Sequence, residues 1–297
     1  MVRLDHAPSL PRLYARSVVS GRGRHGDRLP DKTLELVDIP IDRDRLAGYA
    51  QVCGFRQSDL LPPTYPHILG FPLAVTLMVE PSFPFPLAGL VHVNNRITQQ
   101  RLLRADERLT VRVHAENLRD HPRGRQFDML TEVTIAGEPV WNESSTYLRR
   151  SKSSSPSGKS SNSPSAKPSP PPPTGEGREE GPQPTAVWRV PANIGRRYAA
   201  VSGDVNPIHL NPLAAKLFGF RRTIAHGMWL KARCLAALEG RLADALTAEV
   251  EFKSPLLLPS TVGFSSHEAN GAWTMTVFHS TSGRPHLMGS VTRAGAL

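Results

Sequence analysis

The chain has 297 residues, 39% of them hydrophobic, and its 36 Lys and Arg against 26 Asp and Glu give a formal charge of +10. This length and apolar content allow two hydrophobic cores, and no apolar run approaches the ~20 residues of a membrane-spanning helix. The basic residues are dispersed, aromatic residues are only 6% of the chain, and no nucleic-acid-binding motif accompanies them. The charge therefore does not indicate a nucleic-acid partner.

Cysteine usage and the N-terminus bear on the cellular compartment. Cys53 and Cys234 each lie within an apolar helical pattern, which indicates buried thiols in a reducing compartment and not a disulfide framework. The arginines near the N-terminus are not followed by the apolar core of a secretory signal, whereas a transit peptide stays open. The reducing compartment that these thiols indicate predicts a cytoplasmic protein. No Cys and His residues have metal-site spacing, so the sequence predicts no metal.

The first half of the chain contains one strongly apolar helical pattern. The run FPLAVTLM at residues 71–78 predicts a central helix, with Pro72 as a source of distortion. Apolar and polar residues alternate over residues 109–113, and again over residues 274–278 in the second half. These patterns predict strands, so we expect helices combined with a long antiparallel sheet.

Residues 151–184 differ in character from both halves. They are rich in Ser and Pro and contain almost no apolar residue, so they cannot bury enough surface to offset the entropy lost on ordering. We interpret them as a disordered linker with a polyproline II stretch at residues 170–173. A docking site for a proline-binding partner is the alternative.

The most informative segment lies beyond this linker, at residues 198–228, and reads YAAVSGDVNPIHLNPLAAKLFGFRRTIAHGM. Turn-forming residues surround Asp204, and Pro207 suits the first turn of a helix that Asn206 or Asp204 would cap. Periodic apolar residues extend this helix to Phe218. His209 would then project from its first turn, close to Asp204.

A second helical pattern follows over residues 228–238 and ends at Gly240. Gly227 stands at its N-terminus, where free N–H groups and the positive end of the helix dipole suit a developing negative oxygen. The segment thus combines an acid, a base and an oxyanion donor. Each residue also has a plainer interpretation: Asp204 as a helix cap, Asn206 as a turn residue and Gly227 as a packing glycine. His226 is expected to pack or orient the helix start and not to react.

The run Asp204-Val205-Asn206-Pro207-Ile208-His209, followed by Ala225-His226-Gly227, resembles the MaoC-like dehydratases, also called R-specific enoyl-thioester hydratases. The resemblance implies a hot-dog fold, in which a curved antiparallel sheet wraps a central helix. It also implies reversible hydration of trans-2-enoyl thioesters to (R)-3-hydroxyacyl thioesters, in fatty-acid metabolism. By the same resemblance Asp204 and His209 hold and activate the water, Asn206 supports the loop, and the backbone N–H of Gly227 binds the thioester carbonyl.

An internal repeat relates the two halves. Residues 49–55, YAQVCGF, align with residues 198–204, YAAVSGD, and His67 aligns with His226. The first copy has a shorter loop, carries Phe55 where the second carries Asp204, and lacks the acid/base motif. We therefore predict one catalytic repeat and one that provides shape.

Together these observations predict an α+β double hot-dog with two curved antiparallel sheets, each wrapping a central helix. Its expected parts are a non-catalytic repeat at residues 1–150, the linker at 151–184 and a catalytic repeat at 185–297. The TYPHI run of the first half makes this layout similar to the actinobacterial branch of the family. Two interpretations stay open for the apolar residues Phe83, Phe85 and Leu87. They would either line an acyl tunnel or pack within a loop, and the intervening Pro84 and Pro86 argue equally for the loop.

The expected ligands follow from the same resemblance. The substrate would be an acyl-CoA or an acyl carrier protein thioester, with no cofactor and no metal. Arginines flank the catalytic segment and either attract such a carrier or are simply solvated surface charges: Arg196, Arg197, Arg221 and Arg222. We expect no nucleic acid, no membrane span and a pseudo-dimer within one chain, and a homodimer of such chains stays open.

Two other classes of function stay open at this point. A hot-dog thioesterase would hydrolyse the thioester, although the D-x-N-P-x-H run argues against it. A non-catalytic acyl-binding subunit would need a partner to act, although both Asp204 and His209 are present.

Overall fold

Eleven strands and seven helices make up the described part of the chain, residues 1–20, 24, 26–151 and 183–295, in a computed structural model of the protein. The first half contains β1 (Val2–Leu4), α1 (Leu10–Ser20), β2 (Leu34–Ile39), α2 (Arg43–Cys53), α3 (Tyr65–Val79), β3 (Leu90–Gln99), β4 (Leu109–His121), β5 (Gly124–Ile135) and β6 (Glu138–Arg150). The second half contains β7 (Ala186–Val190), α4 (Ile194–Ser202), α5 (Pro207–Leu210), α6 (Pro212–Leu217), α7 (Gly227–Ala237), β8 (Leu246–Phe252), β9 (Ser260–Ala269), β10 (Ala272–His279) and β11 (Pro285–Arg293).

All eleven strands form one sheet, in the order β1-β2-β4-β5-β6-β3-β8-β11-β10-β9-β7. Apart from the short β1, each half uses the same order, in which its first strand is followed by the third, fourth, fifth and second. The halves meet where β3 pairs antiparallel with β8, from Asn94 opposite Glu251 to Gln99 opposite Leu246. The expected hot-dog fold is confirmed, and the two predicted sheets are the halves of one continuous sheet.

The long helices α3 and α7 are almost entirely buried. Every residue of α3 except Thr76 is buried, which explains why its sequence is apolar on all sides. Gly70 brings α3 close to the sheet, because a Cβ there would lie 2.6 Å from Thr131 of β5. The helix begins at Tyr65, earlier than predicted, and Pro72 lies inside it. Packing against the sheet therefore outweighs the propensity of proline to end a helix.

The repeat inferred from the sequence has a structural counterpart in α2 and α4. Both helices end at a glycine in the left-handed conformation, Gly54 with φ 86° and Gly203 with φ 81°. Only glycine adopts that conformation without steric cost. Tyr49 and Tyr198 are both buried, with ring centroids 6.0 Å apart. The two copies therefore contact each other through equivalent side chains.

The single helix predicted from Pro207 to Phe218 is wrong, because the segment forms two short helices. The first, α5, ends at Leu210. Asn211 then adopts an extended conformation, and its side chain accepts hydrogen bonds from the N–H groups of Leu213 and Ala214. An Asn followed by Pro212 thus caps and begins a new helix, since proline disfavours helical geometry in the residue before it.

The described residues also decide two smaller expectations. Cys53 and Cys234 are buried free thiols, as predicted. Phe83 and Phe85 are buried and contact the ring of Phe127 at centroid distances of 5.1 and 6.0 Å. These two residues therefore pack against β5, and a role of the loop in lining an acyl tunnel stays a prediction.

Almost all of the linker at residues 151–184 lies outside the described residues, which omit 152–182. Its interpretation and the exact boundaries of the two repeats stay predictions. No helix among the described residues has the length and apolar character needed to cross a membrane.

A buried lysine joins the two halves at the β3–β8 seam. Lys231 of α7 has no exposed surface, and its Nζ donates to the Ala248 carbonyl of β8 at 2.9 Å and to the Asn95 carbonyl of β3 at 3.2 Å. It also donates to the side-chain oxygen of Asn95, whose amide nitrogen donates to Glu143. Burial lowers the pKa of Lys231 to about 7, although Glu143 acts in the opposite direction.

We expect Lys231→Met to reduce the free energy of unfolding by about 2 kcal/mol or more, because it leaves buried acceptors of both halves without a donor. Urea unfolding followed by circular dichroism measures the change. Lys216→Met, at an exposed position of α6, is the matched control and should change stability by less than about 0.5 kcal/mol. Equal stability of the two variants would contradict a stabilising role for the Lys231 contacts.

Candidate active site

Asp204 is placed by the turn that follows α4. The left-handed Gly203 ends the helix, and the N–H of Asp204 donates to Ser202 Oγ at 3.1 Å. One carboxylate oxygen, Oδ1, accepts a hydrogen bond from the N–H of Asn206 at 3.1 Å and another from the Tyr14 hydroxyl at 2.7 Å. The side chain is 22% exposed, so this carboxylate is held in a fixed position with limited access to water.

His209 projects from α5, which is capped by the Asn206 side chain through the N–H of Ile208. Its Nδ1 lies 2.8 Å from the carbonyl oxygen of Ile224. A carbonyl only accepts hydrogen bonds, so Nδ1 carries the proton and Nε2 carries the lone pair. The residue is buried, with 9% of its surface exposed. Gly195 permits the close approach of α4, since a Cβ there would lie 2.3 Å from the His209 carbonyl oxygen.

His226 lies against both acid/base candidates. Its ring stacks on that of His209 with centroids 3.7 Å apart, and its Nε2 donates to the backbone carbonyl of Asp204 at 3.0 Å. The Asp204 carboxylate oxygen Oδ2 lies 3.7 Å from the same nitrogen, beyond hydrogen-bond range. His226 therefore fixes the backbone of the acid and the ring plane of the base.

The electrostatics leave the site neutral at both imidazoles and ionised at the carboxylate. Burial lowers the pKa of His209, although Asp204 and the bond to Ile224 act in the opposite direction. Burial and the adjacent His209 lower the pKa of His226 to about 3.

For the carboxyl, burial acts against ionisation, but the two neighbouring imidazole rings, the Tyr14 hydroxyl and the Asn206 N–H together lower the pKa of Asp204. A proton acceptor at His209 Nε2 and a carboxylate thus coexist at neutral pH.

Gly227 is the first residue of α7, next to His226. Its N–H has no acceptor within the helix, as for any residue in a first helical turn. A Cβ at this position would lie 2.9 Å from the Phe252 ring, so an aromatic wall leaves no room for a side chain. The geometry is consistent with the donor role that the sequence predicts for this N–H.

Tyr14 is the residue of the site that the sequence analysis missed. It belongs to α1 of the first half, and its hydroxyl reaches Asp204 across 190 positions of sequence. Burial, together with the nearby Asp204 carboxylate, raises the pKa of Tyr14 well above its ordinary value, so the hydroxyl is a permanent donor. An amphipathic helix with one tyrosine carries no local signal for this contact.

The first half has no equivalent acid/base pair among its described residues. The position of Asp204 is taken by Phe55, which is buried. His67, the equivalent of His226, is bound through Nδ1 to Glu143 at 2.8 Å. The predicted asymmetry between the halves is therefore present in the side chains.

Asp204, His209 and His226 also form a group with potential metal ligands, since one such atom of each lies within 4.8 Å of the others. The hydrogen bonds limit this potential. His226 Nε2 uses its proton on the Asp204 carbonyl, so that nitrogen has no lone pair for a metal. The Nδ1 of the same ring keeps its lone pair and has no hydrogen-bond partner among the described residues, so a site without a metal stays a prediction.

The chain is similar to known proteins in sequence. The MaoC like domain matches residues 174–282. The chain is 42% identical to the 3-hydroxyacyl-thioester dehydratase X of Mycobacterium tuberculosis (strain ATCC 25618 / H37Rv), over 89% of this chain and 90% of that protein.

Solved structures give the same result. A crystal structure of HtdX from Mycobacterium tuberculosis matches with a TM-score of 0.76 and 38% identity, over 89% of this chain and 100% of that one. A MaoC-like dehydratase from Phytophthora capsici shares the fold with a TM-score of 0.66 at 20% identity, over 91% of this chain and 97% of that one. The chain therefore belongs to the MaoC-like dehydratase family.

Proposed function

We propose that the protein catalyses the reversible hydration of trans-2-enoyl thioesters to (R)-3-hydroxyacyl thioesters in fatty-acid metabolism. The observation that carries the proposal is the pairing of an ionised Asp204 with a neutral His209 whose Nε2 holds the lone pair. The name of the Mycobacterium tuberculosis relative, a 3-hydroxyacyl-thioester dehydratase, supports the substrate class.

In this proposal one water molecule lies between the two groups. Potential ligand atoms of Asp204 and His209 lie within 4.8 Å of each other, a separation that one water spans with two ordinary hydrogen bonds. Oδ1 of Asp204 is already bound by Tyr14 and Asn206, so Oδ2 is the oxygen that accepts from the water. The carboxylate orients the water, and His209 acts as the base.

In this proposal His209 both takes the proton from water and delivers it to the substrate. In hydration, the water oxygen forms a bond to Cβ of the enoyl chain while His209 Nε2 takes one of its protons. The imidazolium returns that proton to Cα, and the electron pair of the enolate forms the new C–H bond. In dehydration the same steps run backwards, so one base serves both directions.

The α7 N-terminus completes the proposed site. During the reaction, negative charge develops on the thioester oxygen, and the N–H of Gly227 is proposed to donate to it. Such a donor contributes about 2.7–4 kcal/mol to transition-state stabilisation. The substrate is an acyl-thioester, carried by coenzyme A or by an acyl carrier protein, and we propose that no cofactor takes part.

We further propose that the chain is a pseudo-dimer with a single active site. Both halves share one strand order and meet at β3 and β8, as two subunits of a hot-dog dimer would. The first half supplies Tyr14, and its described residues contain no equivalent of the Asp204–His209 pair. A homodimer of whole chains is compatible with this arrangement.

We expect Asp204→Asn and His209→Gln each to reduce kcat by about two orders of magnitude or more, because each removes one of the groups that handle the water. Loss of the enoyl absorbance of crotonyl-CoA and of a longer 2-enoyl-CoA measures the rate, and chiral analysis should identify an (R)-3-hydroxyacyl product. His267→Gln, at an exposed position of β9, is the control. Activity in the Asp204→Asn/His209→Gln double variant would contradict the roles proposed for these residues. Release of free thiol by the wild type would contradict the proposed hydratase activity.

We expect Tyr14→Phe to reduce kcat/KM by about tenfold at neutral pH, the equivalent of about 1.4 kcal/mol. The hydroxyl stabilises the ionised form of Asp204, so its removal raises the pKa of that carboxyl and moves the acidic limb of the pH profile to higher pH. Tyr65→Phe is the matched control, since the buried Tyr65 hydroxyl has no partner among the described residues. Identical pH profiles for the Tyr14→Phe variant and the wild type would contradict this role.

We expect prolonged dialysis against EDTA to leave kcat/KM for crotonyl-CoA unchanged, because the proposed proton transfers need only Asp204 and His209. Metal analysis of the dialysed protein provides the control that removal was complete. Loss of activity that added Zn²⁺ restores would overturn the metal-free proposal.

A further inference from the structure

His92 of β3 carries a polar atom inside the first half that the contacts of the fold leave unpaired. The residue is partly buried, and its Nε2 is buried without a hydrogen-bond partner among the described residues. Stacking alone does not require an imidazole, because a phenylalanine ring packs as well and buries no polar atom. Since an unpaired buried polar atom costs free energy, a histidine at this position points to a further partner.

A β-bulge turns the His92 side chain toward the interior. The pairing of β3 with β6 slips by one residue between His92 and Asn94, so that Val93 is an extra residue. Side chains alternate along a strand. The extra residue therefore puts His92 on the face of the buried Asn95 and not on that of the exposed Arg96. Bulges of this kind re-aim side chains next to active sites.

One neighbour of His92 borders the proposed oxyanion donor. The His92 ring contacts that of Phe252 with centroids 4.9 Å apart. Phe252 is the ring that would lie 2.9 Å from a Cβ at Gly227. One aromatic ring thus links His92 to the N-terminus of α7.

A second neighbour connects His92 to the acid/base pair. The ring of Tyr147 stacks on that of His92 with centroids 4.8 Å apart and planes inclined by 17°. Burial raises the pKa of Tyr147, and the carboxylates of Glu143 and Asp204 act in the same direction. Tyr147 therefore lies within electrostatic reach of Asp204, and His92 is flanked by rings that border both parts of the proposed site.

The wall that continues from Tyr147 is aromatic. Phe127 stacks on Tyr147 with centroids 5.6 Å apart, and Phe85 stacks on Phe127 at 6.0 Å. Among the described rings of this row, His92 contributes the buried polar atom that has no partner. Such an atom discriminates between acyl chains, because an apolar chain leaves it unpaired and a chain with a matching polar group satisfies it.

The protonation state of His92 favours a hydroxyl group as that partner. Burial and the nearby His67 lower the pKa of His92 to about 3, with Lys231 acting in the same direction and Glu143 in the opposite one. The neutral ring offers either a donor or an acceptor at Nε2. A hydroxyl group both donates and accepts, so it satisfies Nε2 in either tautomer, and it brings no charge into the buried wall.

We propose that His92 is a specificity-determining residue whose Nε2 hydrogen-bonds a hydroxyl group on the acyl chain of the bound thioester. The inference rests on the proposed function, in which the thioester oxygen lies at Gly227 and C3 lies at Asp204 and His209. The recognised hydroxyl is therefore on C4 or on a carbon beyond it. The preferred substrates are 2-enoyl thioesters that carry a hydroxyl group further along the chain.

The test compares trans-oct-2-enoyl-CoA with its 4-hydroxy, 6-hydroxy and 8-hydroxy derivatives. In the wild type we expect kcat/KM to be about tenfold higher for one hydroxylated chain than for the plain chain, the equivalent of about 1.4 kcal/mol. The derivative that responds locates the hydroxyl. His92→Phe keeps an aromatic ring between Tyr147 and Phe252 but removes the polar atom. In this variant KM should rise about tenfold for that derivative and fall for the plain chain.

Changes of opposite sign separate recognition from damage to the fold, because a distorted site would weaken the binding of both substrates. His267→Phe, at an exposed position of β9, is the matched control and should keep the wild-type ratio of the two kcat/KM values. Equal kcat/KM values for all four thioesters in the wild type would overturn the proposal, and this comparison needs no variant. A His92→Phe protein that keeps the wild-type preference would overturn it as well.

A binding measurement separates this proposal from the proposed function. Octanoyl-CoA and the corresponding hydroxyoctanoyl-CoA are saturated, so neither can be hydrated. Calorimetric titration should show about tenfold tighter binding of the hydroxylated chain to the wild type and no preference in His92→Phe. That result would support the role of His92 even in a protein that hydrates no thioester. Equal binding of both chains by the wild type would contradict this role, while the proposed hydratase activity is still judged by its own assay.

Discussion

The antiparallel pairing of β3 with β8 is the contact on which the rest of this structure depends. It makes one sheet of two repeats and lets Lys231 bind carbonyls of both strands from α7. It also sets the first half at a fixed position relative to the second. Because of this, Tyr14 on α1 reaches a carboxylate of the opposite half. A site whose parts come from both repeats requires a rigid seam between them.

The two repeats show how one framework supports two different uses. Helices α2 and α4 each end at a glycine in the left-handed conformation, and they contact each other through Tyr49 and Tyr198. The difference that creates the acid/base pair lies in the loop that follows: a buried Phe55 in the first copy, and Asp204 with the additional helix α5 in the second. A loop can change in this way without cost to the sheet, since its backbone bonds are satisfied locally by caps such as Asn206.

The sequence predicted what local chemistry determines, and missed what long-range packing determines. The pairing of Asp204 with His209 depends on turn and cap residues within one short segment, so it could be inferred from the chain alone. The repeat likewise required only the comparison of residues 49–55 with 198–204. In contrast, the contact of Tyr14 with Asp204 depends on how the halves pack, and no local pattern encodes it.

The predicted helix boundaries were wrong for a related reason. Pro72 remains inside α3 because burial of nearly the whole helix outweighs the missing hydrogen bond. Pro212, in an exposed segment with a capping Asn211, begins a new helix. The same residue type has opposite effects, and only the tertiary environment distinguishes them.

Stacking of His209 on His226 constrains which group moves a proton. With ring centroids 3.7 Å apart, two imidazolium ions would repel each other strongly in a buried site. Burial and the adjacent His209 keep His226 neutral by lowering its pKa to about 3, although the bond from its Nε2 to the Asp204 carbonyl acts in the opposite direction. The positive charge of an intermediate therefore forms on His209 alone. That charge would lie beside the Asp204 carboxylate, whose ionised form Tyr14 supports. The neutral ring of His226 thus adds no second positive charge beside His209. The Asp204 carboxylate stabilises the positive charge that forms on His209.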